Sequence, residues 1–218
     1  KDMDFSIPVT EDIAVAFGTP VLSRQIPDFQ KYNDAIKARI LAAQSEDSGV
    51  DISNRGGWQS QQTLWGWEGE EFDALRGWVH ASLLRMAALT AMETDLTKVD
   101  IDYFAAAWAN INRRGDYNSG HIHNDAHWAC VYYVECGTLD PGREYNGQFE
   151  LRDPRTLAQS STLPAYGFAR SLMIDPKPGQ VILFPAWMEH SVHPFEGEGE
   201  RFSIAVNIRV TGGRHSGF

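Results

Sequence analysis

The ten residues RFSIAVNIRV, from Arg201 to Val210, alternate without a break. Arg201, Ser203, Ala205 and Asn207 fall on one side, and Phe202, Ile204, Val206 and Ile208 on the other. A period of two belongs to a β-strand, whose successive side chains point to opposite faces. The apolar side has to be covered by packed structure, for which a long helix earlier in the chain is the obvious candidate. The other side carries a guanidinium and a hydroxyl, and it reads as the wall of a cavity. Arg201 also follows the acidic stretch of Glu196, Glu198 and Glu200, so a plain salt bridge is the competing account of it. That account leaves Ser203 unexplained.

The rest of the second half has the same texture. DYFAAAWANINR, HWACVYYVE, GQFELRD, SLMIDP and GQVILFPA are short and β-rich, with Gly, Pro, Asn or Asp between them. Short strands at such spacing predict a sandwich or barrel. The first half differs. VAFGTPVLSRQIP reads as two short strands around a Gly-Thr-Pro break. DFQKYNDAIKARILAAQS predicts a helix with Asp28 as N-cap and Tyr32, Ile36, Ile40 and Leu41 as its apolar stripe. EEFDALRGWVHASLLRMAALTAMET predicts a second, stronger helix, with Phe72, Leu75, Trp78, Val79, Leu83 and Met86 aligned and His80 structural. Between the helices lies a loop from Asp47 to Gly69, with Trp58, Trp65 and Trp67 as lid or core residues. The expected fold is therefore mainly β with flanking helices: a jelly-roll core over 101–212, with 1–100 as a helical and loop support packed on one face. We read 1–218 as a single domain.

Composition narrows the function classes. The net charge of −10 argues against a nucleic-acid partner, because phosphate contacts need clustered basic residues. It argues equally against an anionic membrane surface. No apolar run approaches the ~20 residues of a membrane span, and KDMDFSIPVT lacks the apolar core of a signal peptide. Cys130 and Cys136 form no metal or redox motif and are too few for a disulfide scaffold. The expectation is a cytoplasmic protein without nucleic-acid or membrane partner; a homodimer is compatible with it.

Five of the seven histidines fall in two places, at 121, 123 and 127 and at 190 and 193. If GHIHNDAHW is extended, His121, His123 and Asp125 share a face. Two imidazoles and a carboxylate suit a divalent first-row metal, although such runs also occur as solvated strand ends. The second cluster, LFPAWMEHSVHP, supplies His190 after a buried strand. Arg201 and Ser203 follow as a fork and hydroxyl suited to a carboxylate.

Together these motifs resemble the iron(II)- and 2-oxoglutarate-dependent oxygenases: H-x-D, a distal His in His190-Ser-Val192-His-Pro194, and Arg201-Phe-Ser203. More narrowly, WANI, GHIHNDAHWACVYYV, FELRDPR, LFPAWMEH and RFSIAVN resemble a family of uncharacterised bacterial oxygenases of this type, over roughly 104–210. That family shows H-x-H-P and SG before YYV. Here Asn124 stands in place of the proline and Ala129-Cys130 in place of SG, which leaves the native substrate open. The resemblance implies a double-stranded β-helix, Fe(II) and 2-oxoglutarate as cofactors, and oxidative decarboxylation coupled to hydroxylation. It implies His123, Asp125 and His190 as metal ligands, with His121 as the alternative to Asp125, and no catalytic residue beyond them. Arg201 and Ser203 would bind 2-oxoglutarate, with Asn110, Tyr133 and Asn207 as further cofactor contacts. His127 and His193 are expected outside the ligand set. The substrate class implied is a small molecule, an amino acid or a peptide. A cupin-like metalloprotein without 2-oxoglutarate and a non-catalytic jelly-roll binding module are the competing readings.

Overall fold

The structure is a computed structural model, and it describes residues 17–140, 142–155 and 171–215. Its strands are β1 (Leu22–Gln25), β2 (Asn54–Arg55), β3 (Trp58–Gln59), β4 (Val99–Asn112), β5 (Tyr117–His121), β6 (Trp128–Leu139), β7 (Phe149–Leu151), β8 (Leu172–Ile174), β9 (Gln180–Pro185), β10 (His190–Val192) and β11 (Gly197–His215). The helices are α1 (Gln30–Glu46) and α2 (Glu70–Thr90). The strands form two sheets, a major one in the order β1-β9-β6-β11-β4-β3 and a minor one in the order β2-β5-β10-β7-β8. Every named strand pairing is antiparallel.

The alternating stretch is the middle of β11, the central strand of the major sheet. Phe202, Ile204, Val206 and Ile208 are fully buried. They share one apolar cluster with Ile36 and Ile40 of α1 and with Phe72, Leu75, Val79, Leu83 and Met86 of α2. Each such side chain contributes roughly 1.5–3 kcal/mol by leaving water, so the helices are held on this face by burial. The opposite face of the sheet meets the minor sheet over a second cluster of Ala129, Tyr133, Phe149, Leu151, Ile182, Phe184 and Met188. This is the expected jelly roll with helices outside. Trp58 belongs to the helix-side core at 6% exposure, and Trp65 and Trp67 pack against that core. The tryptophans of the long loop are therefore structural.

Local differences from the sequence reading have physical causes. Asp28 does not cap α1: it sits at positive φ (54°), the capping position falls on Phe29, and the helix starts at Gln30. Leu41 is 38% exposed, because the buried face of α1 runs through Asn33, Ile36 and Ile40. Asn33 is buried to anchor the helix, donating to the Val134 carbonyl at 2.6 Å and accepting from the Tyr132 hydroxyl. His80 stacks against Tyr103, as a structural histidine should. The strand expected around Val15 lies mostly outside the described residues. Between β2 and β3 the chain passes from the minor to the major sheet through Gly56 and Gly57, both at φ +69°. A side chain on Gly57 would begin 2.6 Å from the Ile111 carbonyl, so only glycine fits that crossing. Among the described residues, no helix is long and apolar enough to cross a membrane.

Candidate metal and cosubstrate site

β5 and β10 are neighbours in the minor sheet, with His121 and His190 as direct cross-strand partners. Their rings are 4.3 Å apart between centroids. His123 follows the end of β5 and is fixed through its backbone N–H, which donates to the Ala186 carbonyl at 3.0 Å. Its ring lies 5.1 Å from that of His121 and 5.0 Å from that of His190. One ring nitrogen from each of the three can be chosen so that all lie within 4.8 Å of one another. The two rings on strands are oriented by backbone carbonyls: Nδ1 of His121 donates to Ser119 O at 2.7 Å, and Nδ1 of His190 to Met188 O at 2.9 Å. A carbonyl can only accept, so this fixes the proton on Nδ1 and leaves Nε2 with a free lone pair.

Burial keeps these imidazoles neutral. It is the main cause that lowers all three: His121 is pushed down, His123 to about 4 and His190 to about 3, with His121 adding to the shift of the other two. Neutral, pre-oriented, clustered imidazoles are the donor set a divalent first-row metal takes. Asp125 does not join them. β5 ends at His121, residues 124 and 125 form a turn, and Asp125 is exposed. The alternation that would have carried it onto the ligand face stops before it. The structure thus brings together His121, His123 and His190, and it leaves Asp125 outside the group.

The floor of the site is the inner face of the major sheet. Arg201, Ser203, Ala205 and Asn207 of β11 face Asn112, Asn110, Trp108 and Ala106 of β4 across one ladder. On the other ladder, Ser203 pairs with Tyr133 and Asn207 with Ala129 of β6. The Trp108 and His123 rings meet at a steep angle with centroids 5.8 Å apart, which places the histidine cluster over the Ala205–Trp108 row. One cavity is lined by His121, His123, His190, Asn110, Tyr133 and Ser203, among others.

Arg201 lies beneath this cavity and is 1% exposed. Its Nη1 donates to Gly147 O at 3.1 Å and its Nη2 to Asn112 Oδ1 at 2.9 Å. Glu200 pairs with Arg113, Glu196 approaches Arg114, and Asp116 accepts from the Arg113 backbone N–H and acts on Arg201 only through space, without an ion pair. The salt-bridge account of Arg201 therefore fails, and a buried guanidinium stands without a carboxylate partner among the described residues. Its Nε, the Tyr133 hydroxyl and Asn110 Oδ1 are buried polar atoms without a hydrogen-bond partner, as is Asn207 Oδ1. Such groups cost free energy unless something pairs with them. Burial raises the Tyr133 hydroxyl, which stays a neutral donor.

Sequence reasoning missed Asn112, Asn118 and Ser53. Asn112 was legible, because it continues the alternation of Trp108 and Asn110. Asn118 and Ser53 reach the cavity only through the pairing of β5 with β2 and its flank. His127 and His193 stand outside the ligand group: His127 Nδ1 accepts from the Val210 N–H at 2.9 Å, and His193 Nε2 bonds Glu150 at 2.8 Å.

Residues 106–207 match a protein-family model described as "Putative 2OG-Fe(II) oxygenase". Over that stretch, which carries all three clustered histidines and Arg201, the chain is similar to the 2OG-Fe(II) oxygenases, a family named for iron(II) and 2-oxoglutarate (2OG). The three clustered histidines could hold such an ion. Solved structures show the same fold. A prolyl-4-hydroxylase from Pseudomonas putida is 14% identical, with a TM-score of 0.58 over 89% of this chain and 94% of that one. AviO1 from Streptomyces viridochromogenes Tue57 is 12% identical, with a TM-score of 0.55 over 88% and 90%. The non-heme alpha-ketoglutarate-dependent epimerase SnoN from nogalamycin biosynthesis is 9% identical, with a TM-score of 0.59 over 92% and 82%. No curated protein matches the sequence.

Proposed function

We propose that this chain is a 2OG-Fe(II) oxygenase that holds Fe(II) on His121, His123 and His190 and the far carboxylate of 2OG on Arg201, with Ser203, Tyr133 and Asn110 completing the cosubstrate contacts. The observation that carries the reading is a buried guanidinium without a carboxylate partner, two residues along β11 from Ser203, which lines the same cavity as the histidine cluster. A dicarboxylate with a chelating keto acid at one end fits both. It would supply Arg201 Nε and the Tyr133 hydroxyl with acceptors, and Asn110 could pair through its amide. Bound there, the iron and 2OG would supply oxidative decarboxylation with dioxygen as the oxidant, two of its four oxidising equivalents converting 2OG to succinate and CO2 and two oxidising a second substrate.

The chain's own residues do the rest. The Ser119 and Met188 carbonyls hold two imidazoles in the metal-binding tautomer. Asn112 and Gly147 aim the guanidinium, and Phe149 and Phe184 wall the site with apolar surface that strengthens each charge contact inside. A three-histidine set is neutral, so the dianionic cosubstrate offsets the metal's charge without help from a protein carboxylate. A cupin-like metal site has no use for a buried Arg201. The second substrate is a peptide or a small molecule, in keeping with structural relatives named as a prolyl-4-hydroxylase and an alpha-ketoglutarate-dependent epimerase on the same fold.

The ligand set is tested by anaerobic Fe(II) titration of the metal-free protein. His190→Ala should abolish binding, and Asp125→Asn should leave it within about threefold of the parent, since an exposed turn carboxylate adds little. Loss of Fe(II) binding in Asp125→Asn would return Asp125 to the site.

A further inference from the structure

We infer that Arg209 and Phe104 recognise the substrate that is oxidised, and that this substrate carries a carboxylate beside an aromatic or bulky apolar group. The inference rests on the oxygenase reading above and adds the substrate class. Its basis is the continuation of the site's floor beyond the metal ligands. β11 keeps its alternation there: Ile208 is fully buried on the helix side, and Arg209, the next residue, is exposed on the face shared by Arg201, Ser203 and Asn207. Its cross-strand partner is Phe104. Phe104 has the same parity as Ala106, Trp108 and Asn110, so it stands on the same face.

The two arginines are placed symmetrically. Arg201 and Arg209 each lie four residues from Ala205, in opposite directions along one face of one strand. Four residues span roughly 13 Å of strand, and the Ala205–Trp108 row is the one beneath His123. The inner guanidinium is buried and belongs to the cosubstrate. The outer one is exposed, on the far side of the metal row from Arg201. Among the described residues Arg209 forms no ion pair, in a chain of net charge −10 that holds 29 acidic residues. Asp102, two residues along β4 from Phe104, has its carboxylate against Gly212.

Phe104 is 74% exposed, so nothing among the described residues covers its ring. A bare aromatic ring and an unpaired guanidinium as cross-strand partners match a ligand with an apolar body and an anionic group. Between this pair and the metal row lies Asn207, whose Oδ1 is buried without a partner and whose cross-strand neighbours are Ala106 and Ala129.

The test uses 3-phenylpropanoate and its neutral amide, 3-phenylpropanamide, as probes. Binding is followed by ligand-observed NMR on the anaerobic Fe(II) protein with saturating 2OG, which occupies Arg201. The acid should bind at least tenfold more tightly than the amide. Arg209→Gln should remove that preference, Arg209→Lys should retain part of it, and Phe104→Ala should weaken both probes. Both positions are exposed, so the variants should fold, and 2OG affinity should be the same in each. Equal binding of acid and amide, no binding of either at millimolar concentration, or an acid preference that survives Arg209→Gln would overturn the inference. If 2OG fails to bind while the acid preference still depends on Arg209, the oxygenase reading falls and the Arg209 site stands.

Discussion

Replacing Arg201 with methionine separates a structural role from a cosubstrate role, because the two predict different magnitudes. The guanidinium makes two hydrogen bonds, to Gly147 O and to Asn112 Oδ1, and its Nε makes none. Removing it leaves two buried acceptors unsatisfied, at about 1–3 kcal/mol each. Against that stands relief of a fully buried charge with no carboxylate partner, whose desolvation costs several kcal/mol. Methionine fills much of the volume and brings no polar atom. The terms oppose each other at similar size, so the stability of the metal-free protein should change by no more than about 2 kcal/mol. Binding has no such offset. A carboxylate that loses a buried charged partner typically loses 2–5 kcal/mol, about thirtyfold to a few thousandfold in Kd. Urea unfolding of the metal-free protein measures the first quantity. Anaerobic titration of the Fe(II) protein with 2OG, followed through the weak visible band of the chelate, measures the second. Destabilisation beyond about 4 kcal/mol would show that Arg201 is a structural member. Unchanged 2OG affinity would remove the cosubstrate from this end of the cavity.

Two further outcomes follow from buried polar groups. His123 and His190, held down to about 4 and about 3 mainly by burial, are neutral in the fold, while the unfolded chain protonates them below about 6.5. Their contribution is fully present above that value, and it is lost as the pH falls toward the folded values, by up to about 1.4 kcal/mol per pH unit for each histidine. The urea midpoint of the metal-free protein should therefore drop between pH 7 and pH 5, and His190→Gln should flatten the slope; a flat parent profile contradicts the burial argument. Tyr132→Phe strips Asn33 Oδ1 of its donor in a buried position and should destabilise by about 1–3 kcal/mol, read by thermal unfolding, without changing Fe(II) or 2OG binding.

The strand Arg201–Val210 shows what alternation alone determines. Period two separates Phe202, Ile204, Val206 and Ile208 from Arg201, Ser203 and Asn207, and burial then forces helices onto one face and a cavity onto the other. Arg201 and Ser203 were legible for that reason, as was His190, which follows a continuous apolar strand and a proline. Asn112 could have been read from the same rule on β4. The make-up of the histidine cluster could not. GHIHND offers His121, His123 and Asp125 at equal spacing, and which of them gather beside His190 depends on where β5 stops. That end is decided by pairing with β10 and by the Ala186 carbonyl that captures the His123 backbone, both distant in sequence. Asp125 falls past it into an exposed turn. Ser53 and Asn118 likewise enter the site only through the packing of β2 against β5. Local pattern determined which face of each strand is polar, because side-chain direction is a property of the strand itself. Only the tertiary structure decided which polar groups meet, because strand ends and sheet neighbours are set by contacts the sequence does not place side by side.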